Sequence, residues 1–145
     1  MRAPATPIVT YTPDFSLWSP SDRLNESDLV HWSGAPQPIC GILETDDKIL
    51  RFMGLLENEP MVQVSSYIDF FSTEYLFSSE EVDLKLKFTT PLLLNDYKLL
   101  SRPVTYLSIE TVRRNGYSGK LDVEFLFSDK ICVFSSEICS EAKLY

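Results

Sequence analysis

Val82-Asp83-Leu84-Lys85-Leu86-Lys87-Phe88-Thr89 alternates without a break between apolar and polar side chains. In an extended chain successive side chains point to opposite faces. Val82, Leu84, Leu86 and Phe88 therefore share one face, and Asp83, Lys85, Lys87 and Thr89 the other. A helix would scatter the four apolar residues around its circumference. The stretch reads as a strand with one face on a core and one in water, the pattern of antiparallel sheets.

The same signal recurs on both sides of it. Residues 73–77 precede it across Ser78-Ser79-Glu80-Glu81, which makes a hairpin. Residues 39–45 and 48–53 flank Asp46-Asp47, a two-residue turn and a second hairpin. Residues 61–65 form a short strand after Pro60. Residues 104–112 and 121–127 flank a turn with Asn115-Gly116 and Gly119, and predict a third and longest hairpin. In it Leu121, Val123, Phe125 and Phe127 face the core, opposed by Asp122, Glu124 and Ser128. The connection over residues 91–102 is long enough to cross between sheets. No segment keeps helical periodicity over ten or more residues. Two packed antiparallel sheets follow: the fold class is all-β, an antiparallel β-sandwich.

Three pieces are expected. Residues 1–38 form a Pro-rich, irregular lead-in that wraps the sandwich. Pro4, Pro7, Pro13, Pro20, Pro36 and Pro38 each fix φ and remove a donor, leaving room for at most a helical turn near residues 21–24. Residues 39–134 form the sandwich. Residues 135–145 are a poorly defined tail of mixed polarity.

The chain of 145 residues is one domain long and needs no staples to bury a core. With 44% hydrophobic and 23% charged residues it is ordinary for a folded domain, so disorder is not its overall state. A net charge of −8 repels a phosphate backbone and anionic headgroups, which sets aside nucleic acid and membrane surfaces as partners. No stretch approaches the ~18 apolar residues of a membrane span, and no signal-peptide pattern opens the chain, which points to the cytoplasm. Cys40, Cys132 and Cys139 are odd in number and lack metal-ligand spacing, so they read as plain thiols.

Chemistry is sparse. The single histidine, His31, has no evident carboxylate or thiol partner in the sequence and reads as structural. No His/Cys/Asp/Glu cluster has metal spacing, and no nucleophile elbow or Gly-rich phosphate loop occurs. No cofactor, metal or catalytic residue is expected. Asn25-Glu26-Ser27 matches a glycosylation acceptor and is read as chance. Aromatics such as Trp18, Trp32, Tyr67, Tyr75 and Tyr106 read first as packing residues. Exposed and coplanar, they would instead make a sugar-stacking platform, which keeps a carbohydrate-binding module in view.

Two blocks of residues carry a resemblance. The first runs from Phe15-Ser16-Leu17-Trp18-Ser19 and Ser21-Asp22-Arg23-Leu24-Asn25 through His31-Trp32-Ser33-Gly34-Ala35-Pro36. It continues with Cys40-Gly41-Ile42-Leu43 and Arg51-Phe52-Met53-Gly54. The second joins Phe88-Thr89-Thr90-Pro91-Leu92-Leu93-Leu94 to Leu99-Leu100-Ser101-Arg102-Pro103-Val104-Thr105-Tyr106-Leu107. In order and spacing they resemble the N-terminal region of the glutaminase A family, over residues 3–133.

The resemblance implies a β-sandwich followed, in full-length members, by an α-helical catalytic domain that hydrolyses L-glutamine to L-glutamate and ammonia. It carries no catalytic residue onto this chain. Trp18, Asp22, Trp32, Gly34, Arg51, Phe52, Gly54, Pro91, Ser101, Arg102, Pro103 and Tyr106 become candidate structural positions. Arg102, held extended by Pro103, is expected to pair with Asp96. The implied partner is the α-helical catalytic domain, in cis or in trans. A sandwich left half-finished would bare a strand edge and self-associate, or be completed by a partner's strand.

Overall fold

The computed structural model describes residues 4–132. The tail assigned to residues 135–145, the last two residues of the sandwich span and Cys139 lie outside the described residues.

The lead-in is less irregular than its prolines imply. β1 (Thr6–Thr12), β2 (Phe15–Ser19) and β3 (Val30–His31) form a three-stranded antiparallel sheet in that order. Prolines punctuate it without blocking it. Pro7 sits in β1, an edge strand, at a register shift between Pro7 and Val9, where a missing N–H breaks no interior ladder. Pro13 lies in the β1–β2 turn and Pro20 just past β2. In place of a helical turn over residues 21–24 there is a turn closed from the Glu26 N–H to the Arg23 carbonyl at 3.2 Å. Ile8, Val9, Leu17, Leu24 and Leu29 of this segment are all buried.

β4 (Ile39–Thr45) and β5 (Ile49–Met53) form the first expected hairpin, closed by the Thr45 N–H on the Lys48 carbonyl at 2.8 Å. β6 (Glu59–Pro60) adds a two-residue parallel edge to β5. β7 (Val62–Ile68), β8 (Ser72–Ser78) and β9 (Val82–Thr89) follow as an antiparallel meander. Burial along β9 alternates as its sequence does, with Val82, Leu84 and Leu86 fully enclosed and Phe88 nearly so.

The third hairpin does not form. β10 (Tyr106–Arg113) pairs with β9, from Tyr106 opposite Thr89 to Arg113 opposite Val82. β11 (Leu121–Phe127) pairs with β4, from Leu121 opposite Thr45 to Phe127 opposite Ile39. The two sheets thus read β10-β9-β8-β7 and β11-β4-β5-β6. Residues 114–120 cross between them, and residues 91–102 stay beside one sheet, holding the short helix α1 (Tyr97–Leu100).

The reason lies in the turn. Asn115 and Gly116 have φ of 51° and 74°, and the Tyr117 N–H closes on the Arg114 carbonyl, as hairpin turns do. That turn, however, is pinned to the β8–β9 tip by the Arg114 N–H on the Glu81 carbonyl and by Asn115 Nδ2 on the Glu80 carbonyl. Residues 118–120 then swing to the β4–β5 turn. There Tyr117 Oη accepts from the Asp46 N–H and the Lys120 N–H donates to Asp46 Oδ1.

The sheets pack face to face through aromatic contacts. Phe52 of β5 lies 6.1 Å from Phe77 of β8 and 5.3 Å from Phe125 of β11, with the second pair edge-on. Tyr75, Phe77, Leu43 and Met53 complete the buried centre. The architecture is an all-β sandwich with a small third sheet across it. Among the described residues no helix is long and apolar enough to cross a membrane.

Candidate functional site

Four of the candidate positions, Asp22, Arg51, Phe52 and Gly54, meet where the lead-in crosses β5. Gln63 clamps the crossing: its Oε1 accepts from the Leu24 N–H at 2.8 Å and its Nε2 donates to the Asp22 carbonyl at 3.1 Å. Asn25, 2% exposed, donates from Nδ2 to the carbonyls of Arg51 (3.2 Å) and Met61 (2.8 Å). The Arg51 guanidinium donates to the Leu56 carbonyl. Gly54, at φ +72°, donates its N–H to the Leu24 carbonyl, and a β-carbon there would strike the Ile39 carbonyl and Cys40 Sγ. Neither Asn25 nor Gln63 was visible as a structural residue, because their bonds span 26 to 41 residues of sequence and no local pattern announces them.

The second group sits on the small sheet. Trp18 is half-buried and donates to Ser16 Oγ at 2.7 Å. His31 is buried, with Nε2 2.8 Å from the Pro13 carbonyl and Nδ1 2.7 Å from Ser33 Oγ. A carbonyl only accepts, so Nε2 carries the proton and Nδ1 takes the Ser33 hydrogen in the neutral ring. Gly34, at φ +89°, closes the turn with its N–H on the His31 carbonyl. Trp32 is 63% exposed and donates Nε1 to the Pro13 carbonyl. Its ring is tilted 47° from His31, so these two do not make a flat platform.

The remaining candidates, Pro91, Ser101, Arg102, Pro103 and Tyr106, lie on or beside the connection into β10. Asp96 does not pair with Arg102. Its carboxylate caps α1, accepting from the Leu99 N–H at 3.0 Å, because the first turn of a helix has amides without partners. Ser101 ends α1, with its N–H on the Tyr97 carbonyl. Around Pro103 the Val104 N–H turns back to the Arg102 carbonyl at 2.9 Å. Tyr11 Oη of β1 donates to the Leu100 carbonyl and holds the connection down.

This connection borders an apolar groove of about 400 Å³. Ile8 and Leu17 of the small sheet, Phe88 and Leu107 of one large sheet, and Phe125 and Phe127 of the other line it. It opens between β10 and β11, the two sheet edges on this side of the sandwich. Sequence reading placed Phe127 in the core; it is 68% exposed because β11 ends at the lip of the groove. At the same end of the sandwich the β7–β8 turn bares Phe70 (94% exposed) and Phe71, beside Leu92 of the long connection.

Among the described residues titratable groups do not converge into a reactive set. Among the described residues no three His, Cys, Asp or Glu side chains are grouped to hold a metal ion. Burial pushes the Cys40 thiol up, with the nearby Asp28 carboxylate adding to it, and a backbone hydrogen bond of Leu55 and the Arg51 charge opposing. A thiol held protonated is a poor nucleophile.

Comparison with known proteins fits this geometry. A family described as Domain of unknown function (DUF4964) matches residues 1–65, and another, Domain of unknown function (DUF5127), matches residues 72–135. Glutaminase A of Aspergillus oryzae (strain ATCC 42149 / RIB 40) is 26% identical over 132 residues, which is 84% of this chain and 19% of the relative. The chain thus spans about a fifth of the length of the curated relative it matches. No solved structure matches it. By these matches the chain is a sequence relative of the N-terminal region of the glutaminase A family.

Proposed function

We propose that this chain is a non-catalytic β-sandwich that docks and orients an α-helical, glutaminase-like catalytic domain. The observation that carries the docking role is the apolar end of the sandwich. Phe70 is 94% exposed, Tyr97 80% and Leu94 71%, on a turn and a connection that the fold holds by main-chain bonds such as the Thr90 N–H on the Phe71 carbonyl. Large apolar side chains fixed at a surface mark an interaction site. The match to one fifth of Glutaminase A supports the parent activity, hydrolysis of L-glutamine.

Two measurements test this. The pure chain incubated with L-glutamine should release no ammonia; steady release that disappears when a surface carboxylate is changed would overturn it. Binding of the chain to the separately produced remainder of a full-length relative should weaken at least tenfold, about 1.4 kcal/mol, in Phe70→Ser/Tyr97→Ser. Unchanged binding would remove the apolar end from the docking role. A second role, completion of an open sheet by another strand, is favoured by one separate feature, the bare edge of β10.

A further inference from the structure

Several sheet edges among the described residues are guarded. β1 carries Pro7 and two register shifts, β7 has a register shift between Gln63 and Ser65, and β6 is two residues ending in Pro60. Irregularity, proline and shortness all discourage pairing with another chain. β10 has none of these. Its eight residues run in unbroken register against β9, and every one of them is exposed. Every second residue of such a strand directs its N–H and C=O away from its neighbour. Residues opposite one another share a face, so Leu107 and Ile109 lie on the inner face with Phe88 and Leu86, yet remain 37% and 41% exposed.

We propose that two copies of this chain pair antiparallel through β10, with the two-fold axis at Ile109. Joining the sheets with their inner faces continuous restricts which residues can sit on the axis to a few positions along β10. An axis at Glu110 would oppose two carboxylates. An axis at Thr111 would set Glu110 against the partner's Val112, whose neighbour in β9 is Asp83. An axis at Ser108 would set Glu110 against the partner's Tyr106, beside Thr89.

The axis at Ile109 sets Ile109 against the partner's Ile109 and Leu107 against the partner's Thr111. On the outer face it sets Glu110 against the partner's Ser108, whose neighbour in β9 is Lys87. Glu110 already lies 4.0 Å from its own Lys85. This register therefore sets each Glu110 opposite an uncharged serine, with its own Lys85 on one side and the partner's Lys87 one strand beyond that serine on the other. The charges are complementary at the seam even though each chain carries a net −8. At 0.15 M salt the Debye length of about 8 Å screens the repulsion between the rest of the two surfaces.

Cross-linking tests the axis directly. In a Cys132→Ser/Cys139→Ser background, Ile109→Cys should oxidise to a covalent dimer. Opposed residues of antiparallel strands have Cα atoms about 4.5–5.5 Å apart, within disulfide reach. Ser108→Cys, which this register sets against the partner's Glu110, should not cross-link. Sedimentation of the full chain from about 1 μM to about 1 mM should show reversible dimerisation. Ile109→Lys should weaken the dimer at least tenfold. Ser108→Glu should weaken it about threefold or more by facing the partner's Glu110, while gaining Lys87 as a neighbour within its own sheet, so its fold is retained. A chain that stays monomeric at about 1 mM would overturn the proposal. So would a dimer indifferent to Ile109→Lys and Ser108→Glu, or one cross-linked by Ser108→Cys instead. Since the apolar end at Phe70 and Tyr97 plays no part in this pairing, either interface can fail alone.

Discussion

The ring of Phe52 lies directly over Gly41, close enough that a β-carbon at position 41 would overlap it. Phe52 is fully buried between Phe77 and Phe125 and has nowhere to retreat. Gly41→Ala is expected to cost about 1–3 kcal/mol by overpacking, and Phe52→Ala about 3–5 kcal/mol by leaving a cavity. In the double variant the glycine change should cost far less than it does alone, since the clash has gone. Urea denaturation of the four proteins measures that coupling, and strict additivity would reject the contact.

Asn25 holds the lead-in to the strand edge. Asn25→Ala leaves the carbonyls of Arg51 and Met61 without that donor, and about 2–3 kcal/mol of stability should be lost. Asn25→Asp should be no better, because a carboxylate cannot donate to a carbonyl. A change within about 0.5 kcal/mol for either, the size of neutral surface changes, would show the clamp to be dispensable. The same burial leaves no room for a glycan on Asn25 in the folded chain.

Tyr75 makes stability depend on pH at the alkaline end. Burial pushes its phenol up to about 12, against a smaller opposing effect of hydrogen bonds with Thr6 and Ser19. The unfolded phenol ionises near 10, so the folded state holds the proton longer. Its stabilisation is complete below pH 10 and is lost as pH rises from 10 towards 12. About 3 kcal/mol is at stake across that window. Tyr75→Phe should flatten this fall. Ultraviolet titration should show one of the seven tyrosines ionising late, and simultaneous ionisation of all seven in the folded protein would refute the assignment.

Lys120 relieves a conflict built into the β4–β11 pairing. Asp122 stands directly opposite Glu44, and Lys120 Nζ lies 3.0 Å from the first carboxylate and 3.1 Å from the second. Hydrogen bonds donated to Asp122 and then to Glu44 push the Lys120 amine up. Lys120→Met should destabilise the protein at low salt and much less at 1 M salt, where like charges are screened. A salt-independent effect would mean that the aliphatic stem, not the charge, is what matters.

β9 and β11 were legible because each alternates over five or more residues, β9 most plainly, and the β4–β5 and β8–β9 hairpins followed from their short turns. The partners of β10 and β11 were not legible. Asn115-Gly116 is a strong hairpin signal, but the Arg114 and Asn115 bonds to Glu80 and Glu81 spend it on pinning the turn to a neighbouring tip. Alternation says which face of β11 is apolar and nothing about which strand lies beside it, so its pairing with β4 could not be read. The lead-in was misjudged for a related reason. Its prolines fall at an edge, in turns and at strand ends, where losing a donor costs little. Among the candidate positions Phe52 and Gly54 were findable from the resemblance, while their supports, Asn25 and Gln63, act through pairs of long-range hydrogen bonds that leave no trace in spacing.

The crossing of residues 114–120 also sets an order of events. The β4–β5 and β8–β9 hairpins close over a few residues and can form as soon as they are made. The outer edge of β4 instead waits for a strand ~80 residues further along, a loop whose closure is entropically slow. During synthesis that edge and the ring of Phe52 stay uncovered until β11 emerges, so the newborn protein is exposed to wrong pairings for longest at its own centre. Speeding the arrival of β11, rather than strengthening either hairpin, is the change that would hasten folding.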